Sequence, residues 1–257
     1  MHLETKMNFR FKAFGLHLLA SSVVLSLTLG MLYLGWYHWP GWYLADASHV
    51  VVVMAGVDVV IGPTLTLIIA NANKPRRELR RDLSMIVAAQ LIALVYGTTQ
   101  LWDGRPLYYA FSENVLQMIQ AYDIDPDELK IAREQHAPLV PHWYSLPRWI
   151  WAPLPADPTE RGKIVSSVVQ GGDDVISMPR YYKQWDQGLP ALRTQLKIVD
   201  EVGYFTRNQK KVLKQLMRDR GLATDQRDAI PLTGRGPPLL AVIDPVSLKI
   251  KAIIKLT

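Results

Sequence analysis

Asp58 is the residue of this chain best placed to do chemistry. It is the only acidic residue in an apolar run, His49–Ala70, that is long enough to cross a bilayer core, which takes roughly 20 helical residues. A carboxylate at that depth costs about 2.5–3.5 kcal/mol on insertion scales, so it marks a helix that faces protein or water rather than lipid. The catalytic use such a group suggests is that of an intramembrane aspartyl protease, which needs a second carboxylate near enough to share a proton. Gly56-Val57-Asp58 supplies half of a GxGD pattern, lacking the glycine directly before the acid, and the other candidate acid is Asp82. At a rise of 1.5 Å per residue Asp58 falls roughly 15 Å deep and Asp82 at the surface, which leaves this only a remote alternative.

Other chemistry finds no foothold. The chain has no Gly-rich phosphate loop, no HExxH pair and no GxSxG elbow. It has no cysteine, which removes disulfides, thiol catalysis, thiolate metal sites and iron–sulfur clusters. His136 and His142 do not have a ligand spacing, and Asp173-Asp174 reads as a solvated turn. No catalytic residue, cofactor or metal site is expected.

A buried Asp58 must still be satisfied. Pro63 lacks an N–H and so frees a carbonyl one turn back, to which a protonated Asp58 can donate; Gln90, in another apolar run, is a second partner. Gly56 and Gly62 lie on nearly the same helix face and permit close approach of a neighbour. Gly56, Asp58, Gly62, Pro63 and Gln90 therefore form a candidate patch, either a polar pin between helices or a contact face for a partner. Both readings stand at this point.

Three apolar runs must position this patch, over about 16–39, 49–70 and 83–102. The first ends in an aromatic cluster, Trp36, Tyr37, Trp39, Trp42 and Tyr43, of the kind that sits at headgroup level. Lys6, Arg10 and Lys12 precede the first run, and Lys74, Arg76, Arg77, Arg80 and Arg81 crowd the loop 71–82, whereas Pro40–Ser48 carries no Lys or Arg. Basic residues collect on cytoplasmic loops, so residues 1–15 and the loop 71–82 are expected inside. Three crossings then place 103–257 in the periplasm, beyond the inner membrane of a Gram-negative cell. Ala45-Asp46-Ala47 looks like a signal-peptidase site, but the preceding apolar stretch exceeds the usual 7–15 residues and the site follows bulky aromatics. Met1 and Met7 are alternative starts.

The net charge of +6 divides unevenly. Residues 1–102 hold 8 basic and 5 acidic residues, residues 103–257 hold 21 and 18. The first surplus is topology and the second is mild, so nucleic acid is not an expected partner. The outer 155 residues suffice for a core without covalent staples. They read as α+β: strands at Leu107–Phe111 and Val115–Tyr122, helices opened by Asp125-Pro126 and by Asp157-Pro158, the latter stopping at Gly171-Gly172. A loop rich in Trp and Pro follows the first helix, Ala137–Pro155, and covers the domain's own core or rests at the membrane surface. Further on come a short strand at Asp174–Ser177, a helix at Leu189–Val199, a basic amphipathic helix opened by the Thr206–Gln209 capping box, and a hairpin of Leu239–Ile243 with Leu248–Leu256. The fold class is thus a membrane protein, three N-terminal transmembrane α-helices followed by an α+β extracytoplasmic domain.

Several ordered motifs agree with one family. Arg10–Leu18 (RFKAFGLHL), Gly56–Leu67 (GVDVVIGPTLTL), Asp82-Leu83 through Gln90-Leu91 to Tyr96-Gly97, and Arg105-Pro106-Leu107-Tyr108 resemble the type IV pilin accessory proteins of the TfpX/TfpZ type. The resemblance covers residues 7 to about 125 and weakens to general layout beyond. It implies an inner-membrane protein that helps a type IV pilin to fold, stay available or assemble, without enzymatic activity; Arg105 and Pro106 come with it as juxtamembrane structural residues. Membrane lipid and pilin are the partners so implied, and the oligomeric state stays open. A membrane-anchored periplasmic sensor or envelope scaffold is the alternative, disfavoured because a loop of about a dozen residues offers no cytoplasmic output domain.

Overall fold

The computed structural model describes residues 2–256 and divides into two compact units. The Met1 start considered above lies outside the described residues. One unit takes the chain up to Gly35 and then Ala47–Asp103; the other takes Trp36–Asp46 and everything from Gly104. The short stretch between the first two apolar runs therefore belongs with the later unit, not with the helices it connects.

The helical unit contains α1 (His2–Leu32), whose last turns widen into a π-helical segment at Tyr33–Tyr37 as the chain crosses into the other unit. In that other unit α2 (Gly41–Leu44) follows a cis Trp39–Pro40 bond. The second apolar run forms α3 (Ser48–Ala55), a π-helical stretch at Gly56–Ile61, and α4 (Gly62–Ile69); α5 (Arg76–Asp103) completes the set. Three helices, Met7–Tyr37, Ser48–Ile69 and Arg76–Asp103, are long and apolar enough to cross a membrane. α4 packs against both α1 and α5, and α3 packs against α5. Leu16, Leu27, Val52, Ile68 and Ile92 are exposed while Asp58, Thr66 and Gln90 are buried. A water-soluble bundle has the opposite arrangement.

The other unit is built on one seven-stranded sheet. Its elements are β1 (Pro106–Ser112), β2 (Val115–Gln120), α6 (Pro126–Glu134), β3 (Arg148–Trp151), α7 (Pro158–Val169), β4 (Lys183–Gln184), α8 (Leu189–Gln195), α9 (Arg207–Asp219), β5 (Ala229–Thr233), β6 (Leu239–Ile243) and β7 (Ile250–Ile254). The spatial order is β4-β3-β1-β2-β5-β6-β7, with β1–β3 and β2–β5 parallel and the other pairs antiparallel. Side chains alternate across the sheet, as the two-residue strand period requires. Tyr109 and Phe111 join Leu232, Leu239 and Ala241 on one face, under Leu192 of α8 and under Leu44. Tyr108 and Ala110 join Ile150 on the other, while Leu240 and Val242 meet Leu213 and Met217 of α9. β1 is buried along its whole length because both faces are covered.

Local sequence set the helix starts. The Asp125 carboxylate accepts from the N–H groups of Asp127 and Glu128 at 2.7 and 2.8 Å, the Asp157 carboxylate from Glu160 at 2.8 Å, and Thr206 and Gln209 close a capping box. Such caps contribute about 1 kcal/mol each. Three expectations fail. The segment Asp174–Ser177 is no strand: the Asp174 carboxylate caps Val175 N–H, the Ser177 hydroxyl turns back to the Asp174 carbonyl, and Val175–Ser177 forms a 3₁₀ turn. The helix expected to reach Val199 stops at Gln195, since Lys197 exchanges both backbone hydrogen bonds with Ala229. The Ala137–Pro155 stretch is not all loop, because Arg148–Trp151 pairs in parallel with β1.

The β6–β7 hairpin carries a pH-sensitive turn. Asp244 Oδ1 accepts from the N–H groups of Ser247 at 2.7 Å and Val246 at 2.9 Å, and Oδ2 meets Lys251 Nζ at 3.0 Å. The Ser247 N–H, then Lys251, then the Val246 N–H hold this carboxyl well below the usual carboxylate range. A depressed folded-state pKa gives stability that is present above the unfolded value, about 3.9, and is lost as pH falls through the folded value. We expect Asp244→Asn to flatten the acid limb of a stability–pH curve, with wild type losing ground to the variant only below about pH 4. Parallel curves for the two proteins from pH 6 to pH 2 would contradict this.

Candidate functional site

The buried polar residues of the helical unit form one cluster, and the backbone explains why. Around Asp58 the helix runs in π register: the Gly62 N–H bonds to the Val57 carbonyl, five residues back. In that register the next donor, for the Asp58 carbonyl, is the N–H of residue 63, which is proline. The carbonyl freed by Pro63 is thus that of Asp58 itself. Gln90 of α5 fills the gap, its Nε2 donating to the Asp58 carbonyl at 3.0 Å and lying 3.5 Å from Ser21 Oγ. Of the two partners the sequence offers, a protonated Asp58 side chain donating to the freed carbonyl and Gln90, it is Gln90 that supplies the donor, and the wide turn shifts the freed carbonyl by one residue.

The remaining bonds follow from that one. A backbone carbonyl only accepts, so the nitrogen of the Gln90 amide faces Asp58 and its oxygen faces α1. His17 Nε2 donates to Gln90 Oε1 at 2.7 Å, and the Thr66 hydroxyl donates to His17 Nδ1 at 2.5 Å. The Nε2–H tautomer satisfies every contact in the chain of bonds. One side chain from each apolar run is joined in sequence: His17, Thr66 and Gln90. Gly62 makes room for this, since a Cβ there would stand 2.1 Å from Gln90 Nε2 and 2.2 Å from its Cδ.

The predicted patch is only partly assembled. Gly62, Pro63, Gln90 and Asp58 are all buried against the chain's own helices. Gly56 is not part of this packing: a Cβ there would meet nothing within 4 Å. Asp82 pairs with Lys74 at 2.9 Å in the loop before α5. Arg105 is buried in the sheet unit, where it donates to the Trp143 carbonyl at 3.3 Å while its own carbonyl accepts from Ala121; Pro106 opens β1. Among the described residues no group of three or more His, Asp or Glu is placed to hold a metal ion. His17, Ser21 and Thr66 went unread in the sequence. The available signal was the four-residue spacing of His17 and Ser21, which puts two polar groups on one face of an otherwise apolar helix.

A shallow pocket of about 160 Å³ opens onto this cluster, lined by His17, Ser21, Asp58 and Gln90 with Val24 and Leu94 among the apolar walls. The His17 ring and the Gln90 amide on its floor are engaged in the bonds that join the three helices. Because Asp58 gives its backbone carbonyl to Gln90, Asp58→Asn should leave the cluster in place and change thermal stability in detergent by less than about 1 kcal/mol. A loss of several kcal/mol would show that the carboxyl itself is needed.

The chain is similar to fimbrial assembly proteins of Dichelobacter nodosus. It is 32% identical over 121 residues to the protein of serogroups C1 and C2, a match spanning 47% of this chain and 92% of that protein. The chain belongs to the fimbrial assembly protein family. The serogroup E1 member is 25% identical over 241 residues, 92% of this chain and 91% of its own length. That match takes in both units. The serogroup I member is 32% identical over 121 residues, 47% of each chain. No protein-family profile matches the chain, and no solved structure matches it.

Proposed function

We propose that this protein is a non-enzymatic, inner-membrane accessory factor of the TfpX/TfpZ type for type IV pilus biogenesis, assisting the stability, availability or assembly of pilin. The observation that carries the reading is the match to a fimbrial assembly protein along 241 residues, nearly the whole of both chains. The three long apolar helices support membrane insertion, because their large apolar side chains point outward and their polar groups inward. The basic residues before the first apolar run, Lys74 in the loop before α5, and Arg76, Arg77, Arg80 and Arg81 in its first turns support a cytoplasmic N-terminus and a periplasmic sheet unit. Pilin is the proposed partner.

A cluster whose side chains bond to one another across the chain's own helices suits an assembly factor, whose work is binding. The polar patch around Asp58 then serves the protein's own helices, which gives a pilin helix an ordered surface to meet rather than a group to react with. Purification of the tagged protein from detergent-solubilised membranes should bring pilin with it. Recovery free of pilin, under conditions where both are abundant in the same membrane, would overturn the proposed partnership.

A further inference from the structure

We infer that the turn His142–Leu146 is a membrane-surface anchor, its Trp143, Tyr144 and Leu146 side chains seated at the headgroup level of the leaflet next to the sheet unit; this rests on the membrane reading proposed above. All three side chains are exposed, at 72%, 58% and 58%. They sit on one turn that is held in shape. The His142 N–H donates to Ser145 Oγ at 2.8 Å, the Ser145 N–H to the His142 carbonyl at 3.1 Å, and the His142 and Tyr144 rings stack at 5.5 Å.

Two bonds fix the level of the turn along the chain's path. Trp36 Nε1 donates to the Ser145 carbonyl at 2.7 Å, and Arg105 to the Trp143 carbonyl at 3.3 Å. Trp36 directly follows Gly35, the last residue the first apolar run gives to the helical unit, and Arg105 comes two residues after α5 ends at Asp103. The turn is therefore tied to two points where the chain leaves its apolar helices, which are the points at which a spanning chain leaves lipid. Tryptophan and tyrosine prefer that layer, with the ring body in the acyl boundary and the polar tip among headgroups, and leucine adds apolar area beneath them. Contiguous exposed apolar side chains on a water-facing surface have no such account.

The chain has no cysteine, so single introduced cysteines report their own surroundings. Leu146→Cys, Leu27→Cys and Val246→Cys, each carrying an environment-sensitive fluorophore, are compared in the full chain reconstituted into vesicles of phosphatidylethanolamine and phosphatidylglycerol. Leu27 lies on the outward face of α1, and Val246 is 81% exposed in the β6–β7 turn. We expect blue-shifted emission and quenching by brominated lipid at 27 and 146, and quenching by aqueous iodide at 246. Lipid contact at 27 with iodide quenching at 146 overturns the anchor and spares the membrane reading. Iodide quenching at 27 overturns both. A probe at 146 shielded from both quenchers means that protein covers the turn, which also overturns the anchor.

Discussion

Leu44→Ala should lower the stability of the sheet unit by roughly 2–5 kcal/mol, although Leu44 lies in an eleven-residue stretch between two apolar helices. Leu44 is 0% exposed and belongs to the same cluster as Phe111, Leu116 and Leu239. The backbone around it is fitted just as closely. The Gly236 N–H donates to the Leu44 carbonyl at 2.8 Å, and a Cβ on Gly236 would stand 2.2 Å from the Tyr43 carbonyl oxygen. Tyr43 and Ala45 pack on the same cluster, and Lys255 lies over the Tyr43 ring at 4.4 Å. Losing the stretch altogether removes several such contributions from a domain whose whole stability is of the order of 5–15 kcal/mol. A fragment beginning at Gly104 should therefore lack cooperative thermal unfolding. The idea fails if that fragment melts with the same midpoint as the sheet unit of the full chain.

Gly62→Ala and Gly56→Ala should have opposite signs. Alanine in a helix interior ordinarily gains up to about 1 kcal/mol over glycine, and at Gly56 nothing opposes that gain. At Gly62 the new Cβ occupies the place of the Gln90 amide. The amide end can swing away, so the cost is less steric than polar: the Asp58 carbonyl and the His17 Nε2–H lose their partner together. Removing partners from buried polar groups costs roughly 1–3 kcal/mol, with membrane measurements at the lower end. Gln90→Leu should cost a similar amount, and Gly62→Ala made in that background should cost little more. Thermal unfolding of the four proteins in one detergent decides it. Equal effects at the two glycines, or full additivity of Gly62→Ala with Gln90→Leu, would rule out the proposed role of Gly62.

Where local chemistry decides structure, the sequence was readable. Asp125, Asp157 and Thr206 announced their helices because each cap bonds to residues two or three positions ahead. The final hairpin was readable because Asp244 closes it within four residues. β3 was hidden between Pro147 and Pro153, and its strand character comes from pairing with β1, forty residues earlier. β5 was hidden by Pro231, a residue that argues against a strand flanked on both sides, yet it pairs with β6 and β2. The aromatic stretch after α1 resembles an interface belt by composition, but Tyr37 and Leu44 are buried, and residues two hundred positions away decide the fate of Leu44.

The candidate cluster was half legible for the same reason. A lone acid in an apolar run, a nearby proline and a glutamine on another run were enough to bring Asp58, Pro63 and Gln90 together on paper. The π register was not visible, and without it the freed carbonyl belongs to the wrong residue. His17 was invisible as a partner because a lone histidine in an apolar run has many bland uses, and only the fold puts its two nitrogens between Thr66 and Gln90.

The membership in the fimbrial assembly family and the proposed role meet in one measurement, the amount of assembled fimbriae on cells that lack this gene. Deletion should abolish surface fimbriae while pilin is still synthesised, and a copy of the full chain supplied in trans should restore them. Wild-type fimbriation in the deletion strain, with no second copy of the gene present, would contradict the account.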